Sequence, residues 1–189
     1  MNVRYDACVL AGGQARRLGG RDKPGMPVGG RPLIETVAAA VPDAERLIVV
    51  GPRRPGLPHA VFLREDPPGG GPVPALRAGL AGVTAPLVAL LAADLPFLAA
   101  EHVRALLEAA DPGAVLVDDD GREQWLAGAW RTAELARALA DYEGRSLHGL
   151  LAPLAPARIH LGGAPWFDCD TMDDLLRARS GTGPIPNEE

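Results

Sequence analysis

The sequence predicts an α/β protein with a mostly parallel central sheet that is covered by helices on both faces. Short, nearly continuous apolar runs recur along the chain, and amphipathic segments with helical spacing lie between most of them. Strands that are buried on both faces form such unbroken runs because crossover helices shield both sides of a parallel sheet. The chain has 189 residues and no repeat of fixed period, so we expect one domain over residues 1–180.

The first predicted strand is DACVLA, residues 6–11, an apolar run that continues into Gly12 and Gly13. A buried strand that runs into a glycine turn is a common start of an α/β unit. Further apolar runs of the same kind predict strands at 46–51, 60–64, 86–93, 114–119, 124–130 and 157–161.

Five segments carry apolar residues at intervals of three and four positions, the spacing of an amphipathic helix. These segments are 32–41, 74–83, 101–110, 132–142 and 171–180. The Pro/Gly-rich stretch 67–74 is expected to border a ligand crevice, because open α/β sheets bind ligands at the carboxyl ends of their strands. The end of the chain, residues 181–189, is expected to be disordered.

Composition excludes several classes of function. The net charge is −5, which argues against partners that reward a basic surface, namely nucleic acid and anionic membranes. Two cysteines are too few for a disulfide framework, and the run APLVALLAA is too short to cross a bilayer. No basic segment followed by a long apolar run begins the chain, so we expect a cytoplasmic protein.

The stretch LAGGQARRLGGRDKPG, residues 10–25, concentrates positive charge directly after the first predicted strand in the sequence. Glycines there let backbone N–H groups approach a phosphate closely, which makes an anion site plausible. The alternative is a tight turn with solvated arginines. The spacing matches neither the dinucleotide fingerprint nor the Walker loop. The cations are Arg16, Arg17, Arg21 and Lys23, the last being the only lysine of the chain.

Acidic residues near the ends of apolar runs are the second group of candidates. Asp94 follows the run 86–93 directly and is either a helix cap or a metal ligand. In WFDCDTMDDLLRA, residues 166–178, either Asp170 or Thr171 could cap the last helix. The four histidines lack metal spacing, and Cys8, Trp125 and Trp130 are interpreted as core residues. Cys169 is flanked by acids that disfavour a thiolate.

The loop LAGGQARRLGGRDKP is similar to the signature loop of nucleotidyltransferases of the molybdenum cofactor guanylyltransferase type. That pattern is LAGG, three residues, Arg, an apolar residue, Gly and, after a short gap, Asp-Lys. The resemblance implies a three-layer, Rossmann-like nucleotidyltransferase fold. It also implies that the loop wraps the nucleotide triphosphate and that the lysine contacts phosphate oxygens. The residues in these roles would be Leu10, Ala11, Gly12, Gly13, Arg17 and Lys23.

The same resemblance assigns roles to acids farther along the chain. Asp94 and Pro96 match the family's principal Mg²⁺ ligand and its proline, and Asp170 is a second metal candidate. Asp168, Asp170 and Arg145 would lie near the acceptor, although the family pattern has asparagines where this chain has the two aspartates. Glu65 and Asp66 resemble the acid that precedes GPLAG, and Asp66 is taken as a nucleotide-binding residue. Here the following sequence is GPVPAL, so the second glycine is absent.

The implied reaction is transfer of GMP from GTP to the terminal phosphate of molybdenum-bound molybdopterin, with Mg²⁺ and release of pyrophosphate. GTP and molybdopterin would be the partners, together with transient contacts to other proteins of cofactor biosynthesis. Two alternatives stay open. One is a cytidylyltransferase that acts on molybdopterin or another small phosphorylated acceptor. The other is a nucleotide-binding chaperone or regulatory subunit that performs no chemistry.

Overall fold

Within the residues that the computed structural model describes, 3–12 and 22–181, a seven-stranded sheet forms the centre of the protein. The strands in chain order are β1 (Tyr5–Leu10), β2 (Pro27–Val28), β3 (Arg31–Pro32), β4 (Leu47–Val50), β5 (Val61–Leu63), β6 (Leu87–Ala92), β7 (Gly113–Val117), β8 (Glu123–Arg131) and β9 (Ala157–His160). The helices are α1 (Leu33–Ala39), α2 (Pro72–Leu80), α3 (Ala100–Glu108), α4 (Thr132–Ala140), α5 (Leu147–Leu151) and α6 (Met172–Ser180).

The order of strands across the sheet is β5-β4-β1-β6-β8-β7-β9. Every adjacent pair is parallel except the two that involve β8, which runs antiparallel to β6 and to β7. This arrangement confirms the predicted α/β class with a mostly parallel sheet.

Most element boundaries agree with the predicted segments to within about two residues, which is the usual uncertainty of boundaries. Two elements were not predicted, the short β2–β3 hairpin and the five-residue helix α5. Each strand of the hairpin has only two residues and forms no apolar run, and five residues make little more than about one helical turn, so neither feature leaves a pattern in the sequence. None of the helices in the described part of the chain is long and apolar enough to span a membrane.

The two faces of the sheet have separate apolar cores. Helices α1 and α3 cover one face through residues such as Ile34 and Leu106. Helices α2, α4 and α5 cover the other, where Trp130 is fully buried, as predicted. A Cβ on Gly79 would collide with the Cys8 sulfur, so glycine allows α2 to approach β1 closely. Burial raises the pKa of Cys8 to about 12, which keeps it a neutral core residue.

The parallel strands place the functional loops at one edge of the sheet, which we call the carboxyl edge. Leu10 at the end of β1 is paired with Val50 of β4 and Ala92 of β6, so the segments that follow these strands emerge side by side. A Cβ on Gly51 would lie 3.0 Å from the Ala11 carbonyl oxygen, which shows how closely two of these segments approach. Open α/β sheets bind their ligands at this edge.

Candidate active site

Four charged side chains meet at the carboxyl edge. Asp94 lies two residues beyond β6, and Lys23 begins the 3₁₀ turn Lys23–Gly25. Asp168 and Asp170 come from the segment that precedes α6. The structure thus brings together one cation and three acids from three distant parts of the sequence.

Lys23 is held between two of these acids. Its Nζ forms an ion pair with Oδ2 of Asp94 and lies 2.6 Å from Oδ1 of Asp170. The side chains of Lys23 and Asp94 are only 17% and 13% exposed. Burial opposes the ammonium charge, but the two carboxylates more than offset this effect and raise the pKa of Lys23. The only lysine of the chain is therefore fully charged at neutral pH.

The three carboxylates form a site that can hold a cation. Asp94, Asp168 and Asp170 each offer one oxygen, and these oxygens lie within 4.8 Å of one another. Although the Asp168 side chain is partly open to solvent, its pKa is raised to about 6, first by burial among protein atoms and then by the charges of Asp170 and Asp94. Carboxylate oxygens are the ligands that Mg²⁺ prefers, so the chemistry of this cluster fits that ion.

The alternation of side chains before α6 explains why both aspartates face the site. Phe167 and Cys169 are buried in one cluster with Leu33 and with buried residues of α6, while Asp168 and Asp170 are exposed. In an extended segment successive side chains point to opposite sides. The Cys169 N–H donates to the Asp94 carbonyl oxygen at 3.3 Å, which ties the segment to the end of β6.

The Cys169 thiol is unreactive in this setting. Burial, with Asp94 as the next largest influence, raises its pKa to about 12, so the thiol stays protonated. This agrees with the expectation that the neighbouring acids disfavour a thiolate.

Thr171, not Asp170, caps α6. The Asp174 N–H donates to the Thr171 Oγ1 at 3.1 Å, and the Thr171 N–H donates to Asp174 Oδ2 at 2.8 Å. This reciprocal pair is a capping box. Of the two cap alternatives, the one that assigned the cap to Asp170 is wrong. The carboxylate of Asp170 contacts Lys23 instead.

A further ion pair at this edge was missed by the sequence analysis. Both terminal nitrogens of the Arg54 guanidinium donate to the Asp22 carboxylate, each at 2.5 Å. Arg54 lies four residues beyond β4, and Asp22 directly precedes Lys23. The only signal in the sequence was that Arg54 follows a strand that ends at the ligand-binding edge.

The Pro/Gly-rich stretch borders a cleft, and its role as a ligand site stays a prediction. Asp66 and Arg145 both line this cleft, whose volume is about 690 Å³, together with Gly70 of the stretch. Among the described residues Asp66 has no hydrogen-bond partner. Glu65, by contrast, accepts a hydrogen bond of 3.0 Å from the Gly69 N–H. The two neighbouring acids therefore differ, because Glu65 holds the loop and Asp66 has no partner within residues 3–12 and 22–181.

The predicted phosphate loop is described only in part. Leu10 and Ala11 are buried, and the Ala11 N–H donates to the Val50 carbonyl oxygen at 2.9 Å. A Cβ on Gly12 would lie 3.6 Å from a Glu65 carboxylate oxygen, so the loop begins beside the Pro/Gly-rich stretch. The remaining predicted residues of the loop lie outside the described residues: Gly13, Arg16, Arg17 and Arg21.

Sequence comparison matches residues 7–157 to the family model of the MobA-like NTP transferase domain. A molybdenum cofactor guanylyltransferase of Rhodobacter capsulatus is 34% identical over 185 residues, which cover 93% of this chain and 95% of the relative. A probable molybdenum cofactor guanylyltransferase of Natronomonas pharaonis is 30% identical, over 90% of this chain and 95% of the relative.

Solved structures share the fold at lower identity. The molybdopterin-guanine dinucleotide biosynthesis protein A of Archaeoglobus fulgidus superposes with a TM-score of 0.71 at 20% identity, covering 93% of this chain and 97% of that one. The 2-C-methyl-D-erythritol 4-phosphate cytidylyltransferase of Thermus thermophilus gives a TM-score of 0.72 at 23% identity, covering 94% and 98%. At such identities the likeness concerns the fold alone.

Proposed function

The chain belongs to the MobA-like NTP transferase family and is a nucleotidyltransferase, and from this premise we propose that it transfers GMP from GTP to the terminal phosphate of molybdenum-bound molybdopterin, releasing pyrophosphate. The relatives that match over nearly the whole chain carry the name of this activity. GTP and molybdopterin would be the two substrates.

One observation carries the proposal, the position of Lys23 against Asp94 and Asp170. The lysine comes from the segment that resembles the family's phosphate loop, and Asp94 from the segment that resembles its metal site. Their contact at the carboxyl edge puts a phosphate-binding cation beside a candidate metal site. Nucleotidyl transfer needs this combination, because a triphosphate brings several negative charges that must be neutralised while it is positioned.

We assign Mg²⁺ as the metal and Asp94 and Asp170 as its ligands, with Asp168 beside them. The crowding of three carboxylates around one lysine supports this assignment, since it leaves the cluster with excess negative charge. When bound, the ion would neutralise phosphate charge and help to align the triphosphate. Lys23 would then be free to leave the carboxylates and donate to phosphate oxygens.

The proposed chemistry requires no protein base. The terminal phosphate of the acceptor has a second pKa of about 6, so its oxygen is already ionised near neutral pH and can attack the α-phosphorus directly. The bond from the α-phosphorus to the bridging oxygen breaks, and the electron pair leaves with pyrophosphate. Lys23, Arg17 and the backbone N–H groups of Gly12 and Gly13 would stabilise that leaving charge.

Recognition of the base and acceptor is assigned to the cleft of about 690 Å³. Guanine presents adjacent N1–H and N2–H donors that one carboxylate can accept, and Asp66 is unengaged among the described residues. Arg145 lines the same cleft and is exposed, so its guanidinium could bind an acceptor phosphate. Asp168 and Asp170 would approach the acceptor from the metal side.

The test is release of pyrophosphate from GTP, CTP and ATP in the presence of molybdopterin and Mg²⁺. We expect turnover with GTP that is abolished in Asp94→Ala and retained in Asp173→Ala, a control that alters an exposed acid of α6 outside the cluster. Turnover with CTP alone would identify a cytidylyltransferase. Binding of GTP without turnover by the intact protein would identify a nucleotide-binding subunit that performs no chemistry.

A further inference from the structure

We propose that Arg54 is a positioning residue that holds Lys23 in place through Asp22. The inference deepens the proposed function, because it rests on the role assigned to Lys23 there. Arg54 does not contact Lys23. It acts on the residue that directly precedes it in the chain.

The ion pair between Arg54 and Asp22 has the geometry of a rigid clamp. Its two hydrogen bonds join both terminal nitrogens of the guanidinium to both carboxylate oxygens, at 2.5 Å each. A planar guanidinium that binds a carboxylate at two points fixes orientation as well as distance. The Arg54 side chain is only 13% exposed, so solvent weakens this pair less than it weakens the surface ion pairs.

A hydrogen-bonded turn transmits the position of Asp22 to Lys23. The Gly25 N–H donates to the Asp22 carbonyl oxygen at 3.1 Å, and the Met26 N–H donates to that of Lys23 at 3.0 Å. The Leu33 N–H donates to the Met26 carbonyl oxygen at 3.0 Å, which joins the turn to the start of α1. Asp22 is therefore one end of a short, internally bonded unit, and the backbone of Lys23 lies within that unit.

Gly25 shows how tightly the clamp is packed. A Cβ at this position would collide with the Asp22 carboxylate and would lie 3.1 Å from a terminal nitrogen of Arg54. The turn is thus bound on two sides, by Arg54 beyond β4 and by Asp94 beyond β6. If a metal ion binds Asp94, the Arg54 contact would still hold Asp22 while the Lys23 side chain moves to the phosphates.

The first test measures Lys23 without any need for activity. Because the chain has one lysine, the rate at which acetic anhydride acetylates the peptide containing Lys23, followed by mass spectrometry, reports on that amine alone. We expect several-fold faster acetylation in Asp22→Asn and in Arg54→Gln, neither of which adds a lysine. Arg131→Gln, which removes an ion pair with Asp111 beside the opposite end of the sheet, should not change the rate. Unchanged rates in both clamp variants would overturn the inference.

The second test asks whether Arg54 acts through Lys23. A displacement of the reacting groups by about 1 Å can lower a rate by about a hundredfold, and we expect Arg54→Gln to lower kcat by about tenfold. In a Lys23→Ala background the same change should have no further effect, because the group to be positioned is absent. An independent tenfold loss in that background would show a merely structural role and overturn the inference.

The two tests separate failure of this inference from failure of the proposed function. If the wild type shows no turnover with GTP, the proposed function fails and the acetylation rates alone decide whether the clamp holds Lys23. If Arg54→Gln does not fold, Asp22→Asn breaks the same pair with almost no change of shape at a side chain that is 60% exposed. Circular dichroism and the thermal midpoint show whether Arg54→Gln is folded.

Discussion

Lys23 and Asp170 stand 147 positions apart in the sequence, and their side chains form an ion pair of 2.6 Å at the carboxyl edge of the sheet. Asp94 binds the same ammonium from the end of β6. The Lys23–Asp170 contact joins the segment that follows β1 to the segment that precedes α6, so these two segments border the site. It also means that Lys23 and a metal ion would use the same carboxylates.

Replacement of Lys23 by arginine tests why the only lysine of the chain lies here. An ammonium is a compact point charge, whereas a guanidinium is a wide planar fork, so we expect the guanidinium not to fit a narrow space between phosphates. We expect Lys23→Arg to lower kcat for GTP by between about tenfold and about a hundredfold. The reverse exchange at an exposed site in β3, Arg31→Lys, is the control. Normal turnover of Lys23→Arg would show that the lysine is an accident of composition.

Removal of the lysine charge should strengthen binding of Mg²⁺ alone. In the structure the ammonium neutralises Asp94 and Asp170, so it competes with a metal ion for them. We expect Lys23→Met to bind Mg²⁺ about fivefold more tightly than the wild type when no nucleotide is present. Isothermal titration calorimetry measures the difference. Weaker binding by Lys23→Met would mean that the lysine supports the metal site rather than competing with it.

Asp168 should make the metal-free protein less stable as the pH rises. Its pKa is about 6 in the folded protein and 3.8 as the ordinary value, so the folded state binds more protons between these values. The free energy of unfolding therefore falls with rising pH across that window because of this group. We expect Asp168→Asn to equal the wild type near pH 4 and to exceed its stability at about pH 7.

Urea unfolding in the presence of EDTA measures this effect at the two pH values. Asp173→Asn, which alters an exposed acid outside the cluster, is the control for a change of net charge. Equal stability of Asp168→Asn and the wild type at both pH values would contradict the raised pKa.

Asp66 should contribute to binding of guanine but not to the chemical step. Loss of a hydrogen bond to a charged group costs about 1.5–3 kcal/mol, so we expect Asp66→Asn to raise KM for GTP by at least about tenfold, with kcat nearly unchanged. Glu65→Gln retains an oxygen that can accept from the Gly69 N–H and should behave nearly like the wild type. Steady-state kinetics with GTP and CTP checks both variants. A raised KM for GTP in Glu65→Gln, with Asp66→Asn unchanged, would instead assign recognition of the base to Glu65.

Local patterns were sufficient to predict most of the fold. Apolar runs and helical spacing located the strands of the large sheet and five of the helices, because burial on one or both faces determines which residues recur and at what interval. The short elements β2, β3 and α5 were not predicted as elements, since a two-residue strand forms no apolar run and a five-residue helix makes little more than about one helical turn. For the site, Lys23, Asp94 and Asp170 were singled out from their positions next to predicted elements and from the resemblance to a known family.

The sequence by itself determined the α/β class, the family and the chemical types of the charged residues, because each of these depends on residues that are neighbours in the chain. Only the tertiary structure decided that Lys23 lies between Asp94 and Asp170, that Thr171 rather than Asp170 caps α6, and that Arg54 clamps Asp22. Such contacts depend on strand order and on the packing of segments that are far apart in the sequence. Distances between those segments exist only once the sheet has formed.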